Sequence, residues 1–221
     1  MIVAGLSQIK LTEEVVEAGS DAEKALTSKL SDFGLSLTYP VLETAEGVLL
    51  TQSCAIAQYI AASGKTAGLL GSGALQESQV EQWTSFLAEE TMMLSKTVSA
   101  TIYGTLTLST QEHTYIYSLL KENLRVLNNH CKQKEWICGT DKPTIADVQL
   151  GLSLQELMQC SLDTNTRNSL NNLNPIFKKI VALPEFKSRM GTVKQCKKHL
   201  EVKAAKADAP KEIKAKKQAK K

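Results

Sequence analysis

From Gln76 onward the apolar residues recur at helical spacing, and this single pattern constrains the fold more than any other feature. Gln76–Ser99 carries Val80, Trp83, Phe86, Leu87 and Leu94. His113–His130 carries Ile116, Leu119, Leu120, Leu124 and Leu127, and Thr144–Cys160 carries Ile145, Val148, Leu152, Leu154 and Leu157. Leu173–Leu183 and Phe186–Leu200 supply two more periodic stretches. Spacings of three and four place such residues on one helical face. Only weak apolar runs near Trp136 interrupt the pattern. Residues 75–200 are therefore expected to be all-helical and large enough for a core of their own. Two start signals support this. Thr144-Ile145-Ala146-Asp147 is a Thr-x-x-Asp capping box, in which Thr144 and Asp147 bind each other's backbone N–H groups. Leu183-Pro184-Glu185-Phe186 puts proline in a first helical turn beside an acidic residue.

The first 60 residues are patterned differently, as mixed α/β. Met1–Leu6 is a short apolar run, read as a buried strand. Ser20-Asp21 can cap a helix that carries Ala22, Ala25, Leu26 and Leu30 on one face and stops at Gly34. Tyr39–Glu43 and Gly47–Thr51 read as two short strands around a turn at Thr44-Ala45-Glu46-Gly47, a hairpin signature. Pro40 cannot donate to a ladder and belongs at a strand start or tight bend. Ser53 is a natural N-cap for a helix carrying Ala55, Ile56, Tyr59 and Ile60. Gly64, Gly68, Gly71 and Gly73 then mark a linker. The expected division is 1–63, linker 64–74, helical 75–202 and a tail 203–221.

Charge separates the tail from the rest. The formal net charge is +3, yet Lys203–Lys221 holds eight Lys against Asp208 and Glu212. Subtracting that local +6 leaves −3 for residues 1–202. The tail has one large apolar residue and is expected to be disordered, serving as a linker or as a weak, salt-dependent contact to RNA phosphates. No apolar stretch approaches the roughly 20 residues of a membrane helix. The first residues lack the basic start of a signal peptide, so a cytoplasmic protein is expected. The five cysteines (54, 131, 138, 160 and 196) show no C-x-x-C spacing and read as reduced thiols. His113, His130 and His199 lack partners at metal-ligand spacing. Trp83, Trp136, Met92 and Met93 read as packing residues. There is no phosphate loop and no GxGxxG.

The order of a small α/β part, a linker and a helical part resembles the glutathione-transferase-like fold. Three segments carry the resemblance. Tyr39-Pro40-Val41-Leu42 is similar to the segment with a cis-proline before the family's third strand. Gln52-Ser53-Cys54-Ala55-Ile56 is similar to its Glu/Gln-Ser-x-Ala-Ile turn. Thr144-Ile145-Ala146-Asp147 is similar to its Thr-Leu-Ala-Asp box. The segment Leu183–Lys198, followed by an Ala/Lys/Pro-rich stretch, resembles the gamma subunits of eukaryotic translation elongation factor one. Thr66–Gly71 with Glu81-Gln82-Trp83 resembles the transferase-like extensions of aminoacyl-tRNA synthetases.

The resemblance implies a shortened thioredoxin-like domain followed by an all-α domain. It also implies a glutathione pocket at Tyr39, Pro40, Gln52 and Ser53. There Ser53 and the helix start would hold a carboxylate, and the backbone of Tyr39 would pair with the peptide's cysteine. Two readings stand for these residues: an anion site, or an ordinary cap and turn. The third requirement, a hydroxyl beside the thiol, falls to Ser7, which reads as a loop serine. Only 14 residues separate Leu6 from the helix start at Asp21. That is too few for a full helix and strand. No catalytic residue and no metal ligand is assigned, and glutathione is the one cofactor the resemblance allows. The expected function is a non-catalytic scaffold of the elongation factor one complex, anchoring its nucleotide-exchange subunits, with a homodimer possible. A glutathione transferase and an adaptor of a synthetase assembly are the alternatives.

Overall fold

The computed structural model describes residues 1–66 and 68–202. The expectations for the tail, disorder and RNA contact, lie outside the described residues. So does Ala67 in the linker.

The core is organised around a helix that is apolar on almost every side. Helix α7 (Ile145–Cys160) buries Ile145, Ala146, Val148, Leu150, Leu154, Leu157 and Met158. A helix apolar all round belongs at the centre of a fold. Helices α4 (Ala74–Ser85), α5 (Met92–Tyr103) and α9 (Leu173–Ala182) pack against it, and α6 (Thr110–His130) packs in turn against α5 and α9. Gly151 lets one neighbour come close. A Cβ there would lie 2.6 Å from the Phe186 ring and 2.7 Å from Ile180 Cγ2. Phe186 sits on α10 (Pro184–Met190) and is fully buried.

The stretch read as one helix, Gln76–Ser99, is one helical run from Ala74 to Tyr103 with a π-helical turn at Phe86–Thr91. A π turn widens the helix by bonding five residues apart, as the Met92 N–H does to the Leu87 carbonyl. Here the Ser153 hydroxyl of α7 donates to the Leu87 carbonyl at 3.2 Å. The run ends at Gly104, whose φ of 77° is left-handed. Helix α6 opens on a capping box that the sequence reading passed over. Ser109 Oγ accepts from the Glu112 N–H at 3.2 Å, and Glu112 accepts from the Ser109 N–H at 2.8 Å.

At Thr144, the Asp147 carboxylate accepts the Thr144 N–H and the Ile137 N–H, both at 2.8 Å, and the Thr144 hydroxyl at 2.9 Å. The box therefore ties the loop before α7 to its first turn. The Ile145 N–H donates to the Leu69 carbonyl at 2.9 Å, fastening the linker to the same point.

The N-terminal part is small. Ile2–Leu6, expected as a strand, is helix α1. Among the described residues no strand pairs with it, and its backbone groups are satisfied locally, with Gly5 N–H on Met1 O at 3.0 Å and Ser7 N–H on Val3 O at 2.8 Å. Helix α2 (Asp21–Asp32) starts at Ser20, whose hydroxyl accepts the Glu23 N–H at 3.2 Å. Of its expected apolar face only Leu30 is fully buried, while Ala22 and Ala25 are exposed. The hairpin forms, but its strands shrink to β1 (Leu42–Glu43) and β2 (Leu49–Leu50), antiparallel with Leu42 opposite Leu50. Helix α3 (Ser53–Ser63) follows directly.

The C-terminal end also departs from expectation. The helix expected over Phe186–Leu200 stops at Met190, where Gly191 takes a φ of 70°. Residues beyond it run as a strap along the end of α7. The Cys196 N–H donates to Met158 O, and the Leu200 N–H to Cys160 O, each at 2.8 Å. The Arg167 guanidinium, on the short unanticipated helix α8 (Thr164–Ser169), donates to the Cys196 carbonyl at 2.6 Å. Met93, expected in the core, is 65% exposed; Met92 faces α7, where Gln149 Nε2 donates to its sulfur at 3.7 Å.

Candidate functional site at the hairpin and helix start

The hairpin brings the four expected pocket residues together. Its register, extended by count from Leu42 opposite Leu50, sets Pro40 across from Gln52. The Tyr39–Pro40 peptide bond is cis. Gln52 stands at the turn from β2 into α3 with a φ of 67°, left-handed for a residue with a side chain. Ser53 was expected as the N-cap. Gln52 holds that place and Ser53 is the first helical residue, with no side-chain capping bond. The Ile56 N–H bonds back to the Gln52 carbonyl at 3.0 Å, so the earlier amides of α3 are the ones free to meet an anion.

The thiol and the phenol at this junction are both held protonated. Cys54, beside Ser53, has its thiol pushed up, first by burial and then by Glu81, with Glu89 adding to it. A thiol held protonated in this way is a poor nucleophile. Glu81 stays close to α3 through Gln58, whose amide donates to it. On the other side, the Tyr39 phenol is raised by desolvation and by Glu23, and its ring is 52% exposed. An activating phenol would need the opposite shift. Tyr39, Pro40, Gln52 and Ser53 are all exposed, so they form a surface junction.

Ser7 is not part of this junction. It is fully buried, its carbonyl accepts the Lys65 N–H at 3.0 Å, and a Cβ on Gly64 would come within 2.4 Å of its own. It therefore sits at the end of α3 opposite Ser53. An 11-residue helix separates them by about 16 Å. Ser7 is thus buried at the far end of α3 from Ser53, away from the helix start.

The histidines have other partners. His130 stacks on Trp83 with ring centroids 3.8 Å apart, and its Nε2 meets the Ile137 carbonyl at 2.8 Å. His113 stacks on Tyr117, which meets His199 edge-on, and His199 Nδ1 lies 3.1 Å from the Ser161 carbonyl. Burial lowers the pKa of His113, and the His199 charge adds to this. This cluster pins the C-terminal strap; the i, i+4 spacing of His113 and Tyr117 was the one signal of it in the sequence. The Cys131 thiol is pushed up to about 12 and that of Cys138 to about 11, both chiefly by burial. Among the described residues no group of three or more His, Cys, Asp or Glu side chains is placed to hold a metal ion, and no helix is long and apolar enough to cross a membrane.

Comparison with known proteins now places this arrangement. No protein-family model matches the chain. Glutathione S-transferase-like protein FUS3 of Gibberella moniliformis is 30% identical over 193 residues, covering 84% of this chain and 86% of that protein. Elongation factor 1-gamma 1 of rice is 31% identical over 178 residues, 80% of this chain and 42% of that one. Elongation factor 1-gamma of Artemia salina is 28% identical over 159 residues, 72% and 36% of the two chains. The chain thus spans less than half the length of these elongation-factor relatives. Among solved structures, the GST-like domain of elongation factor 1-gamma from Saccharomyces cerevisiae superposes with a TM-score of 0.74 over 90% of this chain and 92% of that one, at 19% identity. A glutathione S-transferase from Anopheles dirus gives 0.68 at 18% identity, covering 87% of each chain. With an N-terminal thioredoxin-like part reduced to a hairpin and helices, and a full helical domain, the chain belongs to the glutathione S-transferase-like family and is related to elongation factor 1-gamma.

Proposed function

We propose that this protein is a non-catalytic scaffold of a translation elongation factor one assembly, anchoring its nucleotide-exchange subunits in the cytoplasm. One observation carries the reading. The buried Ser7, the serine nearest the first apolar run, lies at the opposite end of α3 from Ser53 and outside the exposed junction of Tyr39, Pro40, Gln52 and Ser53. The relatives named elongation factor 1-gamma support the choice of assembly. In this reading Tyr39, Pro40, Gln52 and Ser53 keep the outline of a glutathione pocket as a structural joint, and Thr144 and Asp147 serve the helical domain.

A second reading, glutathione transfer, is supported by the likeness to FUS3 along most of both chains. The test takes the full chain through glutathione-agarose and a conjugation assay, beside Ser53→Ala. The scaffold reading expects weak retention and no turnover in either protein. Tight retention with turnover that Ser53→Ala abolishes would overturn it. Affinity purification with mass spectrometry then tests the assembly: exchange-factor subunits are expected, and aminoacyl-tRNA synthetases in their place would favour the adaptor.

A further inference from the structure

The folded body sorts its charges along the chain. Residues 1–163 carry a net −9, whereas residues 164–200 carry eight Lys and Arg against Glu185 alone, a net +7. Among the described residues two of those eight cations sit in a salt bridge, Lys179 with Glu135 at 3.5 Å and Arg189 with Glu13. Arg167 of α8 is 8% exposed, and its guanidinium donates to the Leu162 and Cys196 carbonyls and to Thr164 Oγ1. Asp163 feels that charge, but its carboxylate is taken by the Thr166 N–H at 2.8 Å. A buried cation with no carboxylate bound directly to it is costly to hold, and α8 keeps one beneath its surface.

A cleft opens where α8 faces α6. Its volume is about 420 Å³, within the range of small-ligand sites. Leu124 and Leu170, both nearly fully buried, form an apolar floor. Lys121, Arg125 and Asn128 follow one another along one face of α6, four and three residues apart. Among the described residues Lys121 has no carboxylate partner, and its Nζ lies 4.6 Å from the centre of the Tyr117 ring. Arg125 pairs with Glu122 through Nε at 3.2 Å and Nη2 at 2.8 Å, which leaves Nη1 for another acceptor. Both members of that pair are about two-thirds exposed, so it is weak and exchangeable. Asn128 is fixed in orientation. Its Oδ1 accepts the Asn172 and Leu173 N–H groups at 3.0 and 3.1 Å, so Nδ2 stays a donor, and it reaches Asn171 only at 3.4 Å. Thr166, whose carbonyl takes the Ser169 hydroxyl at 2.7 Å, adds a hydroxyl of its own from α8.

We propose that the cleft between α6 and α8 binds a phosphomonoester dianion carried on a small apolar group. Lys121 and Arg125 match its two negative charges, and the Arg125 fork suits paired phosphate oxygens. Asn128 Nδ2 and Thr166 Oγ1 add two neutral donors. Four donor groups suit the three terminal oxygens of a phosphomonoester better than the two of a carboxylate. Leu124 and Leu170 meet the carrier. A nucleic-acid strand fits less well, because no aromatic ring lines the cleft to stack a base. The strap lysines help to bring the anion in. The Lys197 carbonyl accepts the Thr164 N–H at 3.5 Å, which places this part of the strap beside the start of α8. Positive charge gathered there raises the local concentration of anions. The site shares no residue with the hairpin junction and is independent of the scaffold role.

Titration of the full chain with phenyl phosphate, followed by NMR at the backbone amides, tests this. Shifts at Asn128, Thr166, Ser169 and Leu170 should saturate. Phenyl sulfate, of the same shape with one charge less, should bind several-fold more weakly. Lys121→Gln and Arg125→Gln alter exposed side chains, and circular dichroism checks their fold. Each should weaken phenyl phosphate by about tenfold, and added salt should weaken it further. A phosphoserine tripeptide distinguishes the source of the phosphate. Tighter binding of the tripeptide would assign the site to a phosphorylated protein segment, and tighter binding of phenyl phosphate to a free metabolite; either upholds it. Shifts that do not saturate, or that spread evenly over Lys178, Lys187 and Lys194 and survive both substitutions, would overturn the proposal. So would cleft amides that ignore phenyl phosphate yet shift with a single-stranded RNA oligomer, which would assign the basic charge to a polymer.

Discussion

The two parts of this molecule bury their apolar residues to different extents. In the helical part, Leu120, Leu127, Ile137, Leu150, Leu154, Leu157, Phe177 and Phe186 are wholly removed from solvent. In the N-terminal part beyond α1, Leu30 and Leu49 are buried before α3 begins, while Phe33, Tyr39 and Val48 remain about half exposed. The difference is one of partners. A sheet reduced to a two-stranded hairpin has no broad face on which α2 can close. The helical part needs no sheet, because α7 buries a wide apolar face and leaves the stripe of Gln149, Leu152, Glu156 and Gln159 less buried. The lesson is that a scaffold can lose most of its sheet and keep its fold where the central helix alone organises the core.

Substitutions can break this contrast, beginning with the largest effect. Phe177→Ala removes a fully buried ring from the centre and should cost about 3–5 kcal/mol, lowering the melting temperature of the whole molecule. Leu30→Ala empties the main anchor of α2 and should cost about 2 kcal/mol. Its effect should be local: amide exchange should quicken across α2 and the hairpin while α7 stays protected. Equal acceleration in α7 would show that the two parts unfold together.

The next effect is pH-dependent. His113 and His130 both have pKa values lowered from 6.5 by burial. Between the depressed native value and 6.5 the unfolded chain binds more protons than the native one, so stability rises with pH across that window and is flat above it. Thermal melts at steps from roughly pH 5 to 7.5 should show this slope, and His113→Gln should reduce it. An unchanged slope would exclude His113 as a contributor.

The smallest effect concerns Ser53. A true N-cap serine replaced by alanine costs about 1 kcal/mol. Ser53 makes no capping bond, so Ser53→Ala should fall within about 0.5 kcal/mol of the parent. A larger loss would show that its hydroxyl supports the helix after all.

Much of the fold was legible in the residues because the signals are local. Ser20 before α2, the Thr144–Asp147 pair before α7 and the turn at Thr44–Gly47 each act within four residues of themselves. The candidate site was legible only as a set of names. The sequence placed Gln52 and Ser53 together but could not say which would be the cap. That depends on a φ of 67° imposed by the exit from β2.

By itself, the sequence determined the helical periodicity, the hairpin turn, the caps that start α2 and α7, and the separation of a mildly acidic body from a basic tail. The tertiary structure alone decided the rest. Ile2–Leu6 became a helix whose buried Ile2, Val3 and Ala4 pack where α3 and α10 meet it. The run after α4 took a π turn, whose Leu87 carbonyl accepts both the Met92 N–H and the Ser153 hydroxyl of α7. Ser7 went to the far end of α3 from Ser53 because it packs on Gly64. Each of these outcomes depends on which groups meet across long stretches of chain, and a local pattern carries no record of such meetings.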